Sequence, residues 1–326
     1  MLLPQHNYLK PASLDECLKA LSAAGEFGQI VAGGTDVIFN MRLKLFRPET
    51  VISIRRLPEL ARVEALPDGS LRIGAACRLT DLAENADIDR RFPAFADSIR
   101  SVASTHIRNM ATLGGNICLK TRCWFTNNSD QWRQGKENCL KTDGGICHVI
   151  KSSEDKCHAI NNADTPVALM ALGAMLTIQK SGHQRELPIT EFFNDDGIDF
   201  MKLSPDELVT HVTIPPCNDR TVFIKHAARQ GIDFSIGSIA ARCDGEDEQT
   251  EHVELVLGSL STAPIRLFRA AEIIRHAGLT DTAIEQAVET VRDDLGEVTN
   301  LYSRAVYKKQ IARVLVKRAL TELRKQ

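Results

Sequence analysis

"GQIVAGGTDVIFNMRLK", residues 28–44, holds a strand, a turn and a helix in seventeen positions. Gln29, Ile30 and Val31 read as a short apolar strand. Ala32, Gly33, Gly34, Thr35 and Asp36 read as a turn, and Val37, Met41 and Leu45 then repeat at helical spacing. A phosphate-binding turn belongs between a strand and a helix. Glycines leave no Cβ in the way, so their N–H groups can approach an anion closely. Thr35 adds a hydroxyl, and a helix starting at Asp36 would aim its positive end at the same place. A tight turn that merely uses two glycines is the plainer alternative.

The second glycine turn, Thr112, Leu113, Gly114, Gly115 and Asn116 ("TLGGN"), weakens that alternative because it repeats the chemistry. Neither turn is GxGxxG and the chain has no such motif, which excludes the dinucleotide fold built on that fingerprint. Two turns from separate domains can still grip a pyrophosphate between them, and clefts between domains are common dinucleotide sites.

Outward from these turns, the pattern predicts an α+β chain. Ser13 caps a helix through Leu14, Leu18 and Leu21 that ends near Gly25. "TVISI" closes a first unit at residues 1–56. A second unit, 57–185, opens with a hairpin around Pro67-Asp68-Gly69 and continues with helices capped by Thr80 and started by Pro93. "TPVALMALGAMLTIQ" is a buried helix running into a strand. A third unit, 186–326, carries strands "LVTHVTIP", "TVFIKHAA" and "HVELVLGSL" and two helices. On the last helix, Lys308, Lys309, Arg313, Lys317 and Arg318 read as a solvated face, with docking to a partner as the alternative.

With 326 residues and a net charge of −2, the chain has room for two or three domains and no general attraction to nucleic acid. No apolar run approaches the roughly 20 residues of a membrane span. The N-terminus lacks a signal-peptide pattern, so a cytoplasmic location is expected. Ser/His/Asp sets, HExxH and a P-loop lysine are all missing, so no catalytic residue is assigned. The odd count of nine cysteines argues against a disulfide framework.

Four of those cysteines, Cys123, Cys139, Cys147 and Cys157, lie in one polar stretch that also holds both tryptophans, Trp124 and Trp132. Their spacing, C-x15-C-x7-C-x9-C, matches neither CxxC zinc pairs nor a ferredoxin run. A stretch this polar needs a staple, and four thiolates suit Zn²⁺ or a [4Fe–4S] cluster equally. Cys118 reads as a buried small hydrophobe and as the reserve ligand. His148 and His158 read as solvent-exposed, with a mixed Cys/His zinc site as the alternative, and the tryptophans as a small local core.

"VAGGTDVIFNMR", "TLGGNI", "NNADTPVALMALGA", "KHAARQGIDFSI" and "YKKQIARVLVKRAL", in that order, resemble the FAD-binding subunits of the molybdenum hydroxylases, the xanthine and carbon monoxide dehydrogenase group. The resemblance covers the chain apart from the cysteine-rich stretch. It implies an FAD-binding fold of the vanillyl-alcohol-oxidase (PCMH) type in two N-terminal subdomains. A C-terminal α+β domain of the CO-dehydrogenase flavoprotein type follows. It also implies that Gln29 to Asp36 and Thr112 to Asn116 cradle the pyrophosphate, and that Asp164, Val209 and Lys225 approach the cofactor. From the residues alone, Asp164 reads equally as the N-cap of the following helix and Lys225 as a surface lysine.

In the resembled family "GGN" leads within a few residues into the acidic segment. Here residues 118–160 intervene as an insertion. The branch that carries a [4Fe–4S] cluster in such an insertion is the β subunits of 4-hydroxybenzoyl-CoA reductases, which this chain resembles. That resemblance implies a heteromeric complex with a molybdenum-pterin large subunit and a [2Fe–2S] small subunit, itself able to dimerise. Electrons would run from reduced ferredoxin through the cluster and FAD to those partners, for reductive removal of the para-hydroxyl. An ordinary FAD subunit with a structural zinc, and a non-catalytic nucleotide sensor, are the competing readings.

Overall fold

The structure, a computed structural model, describes residues 2–245, 250–296 and 304–326. Three sheets organise it. The first is parallel, with strand Thr50–Ser53 between Asn7–Leu9 and Gly28–Val31. The helix Leu14–Ala24 packs on it through Cys17, Leu18 and Leu21, with Ser13 accepting the Glu16 N–H as its cap. The expected strand–turn–helix is present: Gly28–Val31, the glycine turn, then helix Val37–Arg42.

The middle sheet is antiparallel, in the order Val63–Ala65, Leu71–Gly74, Leu208–Ile214, Met175–Lys180, His183–Pro188. The Pro-Asp-Gly hairpin forms as read. Strand His183–Pro188 spans residues 185/186, and Leu208–Ile214, later in the chain, pairs with Leu71–Gly74 and Met175–Lys180 before that point. Helices Pro93–Arg100 and Thr165–Ala171 bury their apolar residues behind the sheet, the second with every residue buried. The helix read with Thr80 as cap starts earlier, at Leu79, and breaks before a second segment that Asn85 caps.

The third sheet runs Ile265–Arg266, Val253–Gly258, Gly237–Cys243, Arg220–His226, all antiparallel. Helices Phe268–Ala277, Asp281–Asp294 and Ala305–Leu323 cover one face and form a separate core with it. The other face meets the middle unit through Phe223, Ala240 and Val256. Lys308 departs from the solvated-face reading: it is 1% exposed, and its ammonium donates to the Ser259 carbonyl at 3.2 Å. Arg313 and Lys317 instead pair with Glu289 and Glu285 of the neighbouring helix. Among the described residues no helix is long and apolar enough to cross a membrane.

Candidate functional site

The two glycine turns touch. A Cβ on Gly33 would overlap the Met110 carbonyl, so only glycine lets the first turn press against the segment leading into the second. Gly34 adopts φ +74°, the left-handed region glycine favours. In the second turn the Thr112 hydroxyl accepts the Gly115 N–H and caps a short helix, Leu113–Ile117. Gly114 lies so close to Ala75 that a Cβ there would sit 2.7 Å from the alanine methyl.

Between the turns opens a cavity of about 740 Å³, within the size range of cofactor sites. Of the residues read as cofactor contacts, Gln29, Ile30, Ala32, Gly33, Gly34, Thr35, Asp36, Thr112, Gly114, Gly115, Asn116, Asp164 and Val209 line it. Val31 and Leu113 do not, because strand and helix periodicity turn them into the core, at 6% and 0% exposure. Lys225 also stays behind the wall. It is not the surface lysine its sequence position indicates: its ammonium donates to Asp164 at 2.7 Å and to the Ser101 carbonyl at 2.9 Å.

Asp164 sits at the start of helix Thr165–Ala171 but makes no side-chain cap. Its carboxylate is taken by Lys225 and by Ser235, which in turn bonds Ser259. Burial pushes its pKa up, and the Lys225 ammonium opposes that. Asn116 spans from the second turn to the same helix, accepting from the Thr165 N–H at 3.2 Å and hydroxyl at 2.7 Å. The sequence reading missed Lys120, Arg122 and Phe234, which also line the cavity. Arg122 forms an ion pair with Asp36 and stands 4.9 Å over the Phe234 ring.

The insertion closes on itself at its neck, where Arg122 and Ile160 exchange two backbone hydrogen bonds of 2.8 Å. Beyond the neck, Cys123, Cys139, Cys147 and Cys157 all line one small pocket. Burial foremost, then the Cys139 and Cys147 thiols, raises the Cys123 pKa, and burial takes Cys157 to about 11. N–H groups reach these sulfurs: Ile150 donates to Cys147 at 3.4 Å, and backbone groups of Phe125, Thr126 and Ala159 bond Cys123 and Cys157.

Lys141 supplies a half-buried cation beside the thiols, lowered by burial to about 8 and held by the Gly197 and Thr121 carbonyls at 2.7 and 2.9 Å. Cys118 lies apart, on the wall of the large cavity rather than in this pocket. His148 and His158 are half-buried rather than exposed, one ring nitrogen of each bonded to the Glu137 carbonyl and the Ser153 hydroxyl. Trp124, Trp132, Phe125 and His148 form the expected local core, the two indoles edge-on at 5.0 Å.

These features define a chain that holds a dinucleotide between domains. Residues 4–217 match the FAD binding domain in molybdopterin dehydrogenase, and residues 223–323 the CO dehydrogenase flavoprotein C-terminal domain. The chain belongs to this family of FAD-binding subunits of the molybdenum hydroxylases, and it binds FAD. It is 28% identical to the aldehyde oxidoreductase FAD-binding subunit of Escherichia coli K12, over 94% of this chain and 95% of that one. It is 25% identical to the 6-hydroxypseudooxynicotine dehydrogenase complex subunit alpha of Paenarthrobacter nicotinovorans, over 98% and 94%. The fold matches carbon monoxide dehydrogenase from Hydrogenophaga pseudoflava with a TM-score of 0.81 at 22% identity, covering 98% of both chains.

The cavity fits FAD. Its wall brings the two glycine turns together with Arg122 and Lys120.

Proposed function

We propose that this chain is the electron-transfer subunit of a molybdenum-containing 4-hydroxybenzoyl-CoA reductase, holding FAD in the large cavity and a [4Fe–4S] cluster on Cys123, Cys139, Cys147 and Cys157. A molybdenum-pterin large subunit and a [2Fe–2S] small subunit would complete the complex in the cytoplasm, with reduced ferredoxin as donor. Bound there, FAD exchanges electrons singly or in pairs and the cluster exchanges them singly.

One observation carries the choice of cluster over zinc. The four thiols line one pocket, yet among the described residues the only three-ligand group within 4.8 Å is Asp244, Glu251 and His252, so no three of the sulfurs come that close. A tetrahedral zinc with Zn–S of about 2.3 Å needs its sulfurs about 3.8 Å apart. A cubane sets an iron before each thiolate and holds the sulfurs farther out. The N–H groups at Cys123, Cys147 and Cys157 and the Lys141 cation favour extra negative charge on such a group.

The chain's own residues do the positioning. The neck at Arg122 and Ile160 ties the cysteine pocket to the cavity wall, and Arg133 anchors the insertion to the first unit through the Leu43 carbonyl at 2.7 Å. Iron, zinc and acid-labile sulfide on anaerobically purified protein test this reading. About four irons and four sulfides per chain support it; one zinc without sulfide returns the chain to the ordinary FAD subunits with a structural staple.

A further inference from the structure

Arg122 stands where three parts of the chain converge. Its backbone pairs with Ile160 to close the insertion, and the next residue is Cys123. Its guanidinium is held by Asp36 of the first glycine turn, with both side chains 17% exposed. The same guanidinium lies over Phe234, in the connection between strands Arg220–His226 and Gly237–Cys243 of the third sheet.

Arg122 lines the FAD cavity with a side chain 17% exposed, so part of a guanidinium already held by Asp36 is open to a ligand there. The neighbouring charges favour an anion. Lys120 lines the same wall with its ammonium 3.9 Å from the Phe46 ring, so beside the first glycine turn two cations act on the carboxylate of Asp36. That excess suits the anionic pyrophosphate of FAD.

We propose that Arg122 is an FAD-binding residue supplied by the insertion, so that metal on the four cysteines and FAD in the cavity strengthen each other's binding. The cooperativity rests on the reading of those cysteines as a metal site. Metal orders the insertion and fixes Cys123; the adjoining Arg122 is then already placed when FAD arrives, and FAD needs to order less. Linkage makes the effect reciprocal: FAD must retain the metal to the same degree that metal tightens FAD.

The test is a fluorescence titration of FAD-depleted protein with FAD, in metal-loaded and chelator-treated forms, with iron, zinc and sulfide measured on each. FAD is expected to bind about tenfold tighter to the loaded form. Arg122→Ala is expected to weaken FAD binding and shrink the difference between forms to less than about twofold. Arg122→Lys, which keeps a cation for Asp36 but lacks the planar guanidinium, falls between. If Arg122→Ala does not fold, Asp36→Asn releases the guanidinium at almost unchanged volume and is expected to lose the same difference. Equal FAD affinity in the loaded and stripped wild type overturns the cooperativity alone. Arg122→Ala that binds FAD like the wild type overturns the contact. A preparation with FAD but no metal overturns the reading of the cysteines and the cooperativity with it.

Discussion

Lys225 and Asp164, 61 residues apart in the chain, form an ion pair of 2.7 Å, with Asp164 in the cofactor wall, Lys225 behind it, and side chains 12% and 4% exposed. The pair joins the third sheet to the helix that follows the insertion. Removing the cation alone leaves a buried carboxylate whose pKa burial has already raised. Lys225→Met is expected to lower unfolding free energy by about 3–5 kcal/mol. The double variant Lys225→Met/Asp164→Asn should recover part of that loss, because no buried charge is stranded. Urea unfolding of the three proteins measures both effects; a single variant as stable as the wild type would remove the pair from the account of this interface.

Gly33 makes a sharper prediction for the cofactor. Its replacement by alanine drives a methyl into the Met110 carbonyl, so the two turns must separate. Gly33→Ala is expected to cost about 1–3 kcal/mol as an overpacked site and to purify with little flavin. Gly145→Ala is the control, since a Cβ there meets nothing within 4 Å. Flavin absorbance per chain compares them. Equal flavin in both would mean that the close approach of the turns is not what shapes the cavity.

How far the sequence reveals all this depends on whether a feature is local. The strand–turn–helix at 28–42 was legible because hydrophobic period and glycine placement change together within a few residues. The strand Gly237–Cys243 was not, since "GSIAARC" offers small residues and an arginine; it is a strand because Arg220–His226 and Val253–Gly258 flank it. Lys308 looked like its charged neighbours until the third sheet covered it. Arg122 carried one local signal, its place beside Cys123. The contact with Asp36, 86 residues away, exists only in the fold.

The cysteines separate by position rather than by type. Cys123, Cys139, Cys147 and Cys157 share a pocket, whereas Cys118 faces the large cavity. On the proposal that these four hold metal, replacing any of them by serine is expected to cost most of it, and Cys118→Ser to leave metal content unchanged. Gly197→Ala should mimic the Cys157 loss in part, because its methyl would lie 2.8 Å from the Cys157 sulfur. Metal and sulfide analysis of the set decides. Metal loss in Cys118→Ser with retention in Cys139→Ser would reassign the ligands.

Lys308 sets a pH dependence whose direction follows from its burial. Its folded pKa is lowered from 10.5 to about 8, and its hydrogen bond to Ser259 goes to a neutral carbonyl. Below pH about 8 the ammonium is charged in both folded and unfolded chains, and the folded state bears the full burial penalty. Between about 8 and 10.5 the unfolded chain holds the proton and the folded chain has released it, so this group makes stability rise with pH. The gain is at most about 3 kcal/mol. Lys308→Met removes the charge and keeps the stem, so it should stabilise the protein at pH 7 and flatten that rise. Urea midpoints of both proteins from pH 7 to pH 10 read it out. Parallel profiles for wild type and variant would show that Lys308 keeps an ordinary pKa, with water reaching its ammonium.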